Sequence, residues 1–164
     1  MIFNKRLLNE TLFTIEDDVY NYDPGDSIEI GGYIWSRIGI LQEHDVFLCN
    51  EIVSEMRFCH ANRLSNDYYY SLIREWLNND FYDKLSEQEK DLIIKNKKLN
   101  DDIFLLSIEE YNKFKHKINI IDDYWWLRSP GTDIETAFCV KNKGVLGQND
   151  IYYGKEGVRP AILI

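Results

Sequence analysis

The sequence contains no Cys-x-x-Cys pair, and its cysteines are odd in number: Cys49, Cys59 and Cys139. That argues against a disulfide framework and against a cysteine-rich zinc site. His44 and His116 show no zinc spacing either, so no metal and no cofactor is expected. Neither G-x-x-x-x-G-K nor G-x-G-x-x-G occurs, which removes the usual nucleotide sites. No apolar run approaches the roughly 20 residues of a membrane span. The start, Met1-Ile2-Phe3-Asn4-Lys5-Arg6, turns charged too early for a signal peptide. The expected location is a reducing cytoplasm, without membrane contact. Positive charge is also in deficit. Lys and Arg number 19 against 28 acidic residues, a net charge of -9. A nucleic-acid binder needs a basic stripe to displace counterions, so direct nucleic-acid binding is not expected.

What the chain does have is aromatic side chains, 14% of its residues, with 11 tyrosines and 4 tryptophans. They serve both cores and binding surfaces. Its 164 residues are enough for one domain with a real core. Residues 1–26 read as an N-terminal extension, with Leu12–Ile15 as a possible strand and acidic residues from Glu16 to Asp26. Residues 27–164 read as the domain.

From Ser27 the pattern alternates as strands do, through Ile28, Ile30, Ile34 and Ile38, with His44-Asp45 as a turn before Val46–Cys49. Tyr69, Leu72, Ile73, Trp76 and Leu77 recur at helical spacing, and Asn78-Asn79 is expected to end that helix. Ser86…Glu89 and Ser107…Glu110 are capping boxes, each opening a helix. Asp102–Leu106 is a strand candidate. Trp125–Arg128 is a strand ending at Ser129-Pro130-Gly131. Ala137–Val140 and Val145-Leu146 flank a hairpin turn at Lys141–Gly144. Val158–Ile164 closes the chain as one strand, with Pro160 at an edge or bulge because it has no amide hydrogen.

Five segments in this order carry a resemblance: Ile30–Trp35, Arg74–Phe81, Ile103–Ser107, Trp125–Gly131 and Gly157–Ala161. From about Ser27 to Ile164 the chain resembles the DUF6273 family, a bacterial and phage domain of unknown function. The resemblance implies an α+β, C-type-lectin-like fold: a small twisted antiparallel sheet, two or three helices and a long loop region. That fold is shared in outline by sulfatase-modifying enzymes and by the variable receptor-binding proteins of diversity-generating retroelements. The calcium-lectin motifs E-P-N, Q-P-D and W-N-D are absent from the sequence. Hard calcium needs converging oxygens, so lectin activity is not carried over. The three cysteines match no copper-oxidase pair.

Chemistry-bearing residues divide into fold-makers and surface candidates. Trp125, Arg128, Gly131 and Arg159 are expected to hold the structure together. Adjacent residues in a strand face opposite sides, so one of the two tryptophans fills the core; packing of both is the favoured reading, and Trp126 is kept as the candidate for a second, binding face. The stretch containing Gln148, Asn149, Asp150, Tyr152 and Tyr153 is the leading ligand loop, because adaptable binding loops favour Tyr, Asn and Gly. Asp67-Tyr68-Tyr69-Tyr70 is a second cluster of this kind. Cys59-His60 adjacency does not assemble a nucleophile pair, because the base must be oriented in space. Ser129 reads as a turn residue. The expected role is a non-catalytic module that binds a protein partner. Two alternatives are an acidic phage or mobile-element inhibitor of a nucleic-acid-binding protein and a sulfatase-modifying type of enzyme.

Overall fold

The computed structural model describes residues 22–23 and 25–164. The Leu12–Ile15 strand expectation and the acidic residues Glu16, Asp17 and Asp18 lie outside the described residues. The strands are β1 (Ser27–Ile30), β2 (Tyr33–Leu41), β3 (His44–Cys49), β4 (Ser54–Glu55), β5 (Trp125–Pro130), β6 (Thr136–Lys141), β7 (Val145–Asp150), β8 (Gly157–Val158) and β9 (Ala161–Leu163). The helices are α1 (Leu72–Trp76), α2 (Glu87–Leu92) and α3 (Ile108–Phe114).

The architecture is α+β, with two sheets rather than the single sheet expected. One is antiparallel, in the order β1-β2-β3-β9. The other runs β4-β8-β5-β6-β7 and contains a parallel pair, β5 with β8, registered through Trp125 and Gly157. The closing segment is therefore two short strands. β8 belongs to one sheet and β9 to the other, with Arg159-Pro160 as the crossing. Pro160 sits where the chain leaves a ladder, and its carbonyl accepts from Cys49 N at 2.9 Å.

Local chemistry explains the other departures. The turn between β2 and β3 is made by Gln42 and Glu43, both at positive φ, so His44-Asp45 begins the strand instead. Asn78-Asn79 does not end the first helix. A π-helical turn at Leu77–Phe81 and a 3-10 turn at Tyr82–Lys84 continue it. Asn78 is occupied elsewhere. Its Nδ2 donates to Arg74 O and Ile103 O, and its Oδ1 accepts from Asp102 N and Ile103 N. Side chains thus fill ladder positions along 102–106. That segment bends at Asp102-Ile103 and joins β9 only through the single Phe104–Ala161 bridge. Both capping boxes form.

Strand alternation in β5 separates two apolar clusters. Trp126 packs with Trp35, Phe47, Phe58, Ile73 and Leu77. Trp125 and Leu127 pack with Ile38, Tyr111, Phe114 and Val140 on the other side. Each tryptophan contributes roughly 4–6 kcal/mol of transfer free energy by its buried area, an upper estimate.

Two variants test this packing. In β2, the pairing with β3 shifts register between Arg37 and Gly39. A Cβ at Gly39 would collide with the Phe114 ring of α3. Gly39→Ala should destabilise the domain by about 1–3 kcal/mol in denaturant unfolding. Arg128 in β5 forks onto Glu110, the capping-box residue of α3, with Nη2 to Oε1 at 2.6 Å, and Nη1 also donates to Leu105 O at 2.7 Å. Arg128→Leu leaves a largely buried carboxylate without its cation, and should cost about 2–4 kcal/mol in the same measurement.

Candidate functional site

A 3-10 turn at Tyr68–Tyr70 precedes α1. Asp67 Oδ1 accepts from Tyr69 N at 2.9 Å and caps this turn, and Ser71 Oγ accepts from Arg74 N at 3.0 Å and caps α1 directly after it. Tyr68 turns inward. Its hydroxyl accepts from Leu105 N, and burial pushes its phenol well above the usual range. Tyr69 and Tyr70 turn outward, 60% and 41% exposed, with rings edge-to-face at 4.9 Å.

Each exposed ring lies beside an arginine. The Arg63 guanidinium carbon is 3.5 Å from the centroid of Tyr70, and that of Arg74 is 4.5 Å from Tyr69. Arg74 is itself fixed from below. Its Nε donates to both oxygens of Asp101 at 2.9 Å, its Nη1 to Tyr69 O and its Nη2 to Leu99 O. Burial raises the Asp101 carboxyl against the pull of Arg74, while the hydrogen bond to Asp101 raises Arg74. His60 Nε2 lies 2.9 Å from Glu75 Oε2, and Lys95 Nζ lies 3.1 Å from Asp102. Two depressions, of about 470 and 580 Å³, share Tyr69, Arg74 and Asn100. Together they form a polar, aromatic groove, with Tyr69 where the two meet and Tyr70 lining the first.

The expected ligand loop has a different character. Gln148 and Asn149 belong to β7 and are engaged internally. Gln148 Oε1 accepts from Thr132 N, Thr132 Oγ1 and Thr136 Oγ1, which ties the turn after β5 to the β6–β7 hairpin. Asn149 Nδ2 donates to Glu156. Asp150 Oδ1 accepts from Tyr152 N and Tyr153 N, closing a tight turn. Arg57 stacks over the half-buried Tyr152, and Tyr153 alone stands clear, 79% exposed. Trp126 requires a correction. It is fully buried, and its Nε1 donates to Met56 O at 2.9 Å, so it presents no surface to a ligand. The face of β5 opposite Trp125 is covered by the first apolar cluster, which sequence alternation alone does not reveal.

The expected fold-makers are placed as follows. Trp125 is buried against Tyr111, with ring centroids 5.7 Å apart. Arg128 carries the Glu110 tie described above. A Cβ at Gly131 would meet Thr136 and Gln148, so only glycine fits there. Arg159 is buried, with Nε donating to Cys49 O at 2.7 Å and Nη1 to Asn119 O at 3.0 Å. Ser129 has a more specific role than turn formation, since its Oγ accepts from Ile108 N at the start of α3.

Arg63, Arg74 and Asp101 escaped the sequence reading. The Asp67–Tyr70 run signalled the position, but nothing local pairs Arg74 with Asp101 across 27 residues. All three cysteines are buried free thiols. Burial pushes Cys49 and Cys139 up to about 11 each and raises Cys59, which disfavours the thiolate needed for cysteine chemistry. Among the described residues no group of three His, Cys, Asp or Glu is placed to hold a metal ion, and no helix is long and apolar enough to cross a membrane.

The sequence model of DUF6273, a domain of unknown function, matches residues 43–164. No curated protein and no solved structure matches the chain. The family match spans well over half of the sequence, and the protein belongs to the DUF6273 family.

Proposed function

We propose that this domain is a non-catalytic binding module that recognises a protein partner through the groove around Tyr69 and Tyr70. The scaffold is read as C-type-lectin-like, an interpretation supported by the order of β, α and β elements and by the return of the C-terminal strand to β3. One observation carries the functional reading: two exposed tyrosines, each flanked by an arginine, on a turn capped at both ends. Tyr and Arg are the side chains that dominate binding energy at protein interfaces. A stiff aromatic pair loses little conformational entropy on docking. Three pairs, His60–Glu75, Arg74–Asp101 and Lys95–Asp102, lie within the groove, while Arg63 and Lys98 make no ion pair among the described residues, which suits a partner read by shape, hydrogen bonding and a few contacts to cations. A net charge of -9 opposes a phosphate backbone as the partner.

The test is affinity capture from the native host with wild-type and Tyr69→Ala/Tyr70→Ala baits, read by mass spectrometry. Wild type should enrich a defined protein. The double variant should bind that protein about 30-fold more weakly, the loss of one hot-spot side chain or more, with an unchanged circular dichroism spectrum. A Tyr152→Ala/Tyr153→Ala bait tests the β7 turn in parallel, and should capture the partner as wild type does. Failure to enrich any macromolecule, or equal capture by the Tyr69/Tyr70 variant, would sink the proposal.

A further inference from the structure

A second cavity, of about 300 Å³, shares no lining residue with the groove. It is bounded by α3, the stretch that follows it, β5 and the β6–β7 hairpin. Its walls are apolar: Ile118, Ile120, Ile121, Trp125 and Val140. Its charged lining is of one sign, Lys115, His116 (when protonated), Lys143 and Arg159, without a carboxylate. That is notable in a chain with nine more acidic than basic charges.

Arg159 stands out within it. It is 1% exposed, and such residues are rarely buried unless paired with an anion. Its guanidinium lies over Trp125 at 5.2 Å, and two of its nitrogens donate to backbone carbonyls. No carboxylate among the described residues reaches it within 4.0 Å, and Nη2 makes no hydrogen bond there. Burial pulls its pKa down to about 10. Lys115 and Lys143 are exposed, and neither is ion-paired among the described residues. The hairpin position of Lys143 is fixed by a left-handed backbone, and Tyr111 Oη donates to Gly144 O at 2.7 Å beside it.

A buried guanidinium without an anion, at an apolar cavity rimmed by two lysines, has the complement of a specific ligand type. We propose that this cavity binds a small organic anion, a carboxylate or phosphate head on an apolar body. The head lies against Arg159 between Lys115 and Lys143, and the body lies along Trp125 and the isoleucines. The planar guanidinium fork fits both oxyanions. The volume is at the lower end for ligand pockets, which favours a small molecule over a peptide.

The test uses the isotopically labelled full chain, titrated separately with indole-3-acetate, phenyl phosphate, neutral indole-3-acetamide and inorganic phosphate, and followed by nuclear magnetic resonance. At least one of the two organic anions should give saturable shifts at Trp125 and Gly144 and none at Tyr69 and Tyr70. The amide and inorganic phosphate should each bind at least about tenfold more weakly than that anion. Lys115→Ala/Lys143→Ala changes only exposed side chains. It should keep the wild-type melting temperature and weaken the anion several-fold. Arg159→Gln should abolish binding, and the lysine variant covers the case in which Arg159→Gln does not fold. The proposal is overturned if neither organic anion saturates, if the amide or inorganic phosphate binds as tightly, or if the lysine variant binds as wild type does. None of these outcomes bears on the Tyr69–Tyr70 groove.

Discussion

The structure depends on a crossing of seven residues, Gly157–Leu163, that belong to both sheets. Gly157 pairs with Trp125 and with Glu55 in one sheet, and Ala161–Leu163 pair with β3 in the other. Between them Arg159 reaches back to Cys49 O and Pro160 accepts from Cys49 N. Cys49 ends β3, so one residue of the first sheet is held twice at the point where the chain changes sheet. Phe104 joins the same segment through paired hydrogen bonds with Ala161. Cutting this crossing would separate the sheets and open both apolar clusters together.

Much of the fold was legible where local chemistry decides it, although the β2–β3 turn falls at Gln42-Glu43, two residues before the expected His44-Asp45. Both capping boxes and the β6–β7 hairpin are written in short stretches whose residues satisfy one another. The remaining failures share a cause. Asn78 looked like a helix terminator because Asn competes with its own backbone, yet here its side chain bonds a segment 25 residues away. Val158–Ile164 reads as one apolar strand because both halves are buried, and periodicity cannot say that the two halves face different sheets.

The same limit applies to the sites. Tyr69 and Tyr70 were visible as an aromatic run, but the arginines beside them, Arg63 and Arg74, and the Asp101 that pairs with Arg74 were not. Gln148 and Asn149 looked available because polar residues beside glycine suggest a loop. Their amides are instead structural, bridging the β6–β7 hairpin to the turn after β5 and to Glu156. Trp126 illustrates the point most directly. Alternation assigns it to the opposite face from Trp125, and only the packing of Phe58 and the Met56 carbonyl shows that this face is interior too.

The late position of the crossing has a consequence for how the chain acquires its structure. β3 has as its outer partner residues 161–163, made more than a hundred positions after it. β5 likewise waits for residue 157 on one side. Such long loop closures slow folding, because chain entropy is lost before the contacts that reward it are made. During elongation on the ribosome, the β1–β3 meander is the unit whose strand pairings are all local. The two sheets are joined only when residues 157–163 have left the exit tunnel.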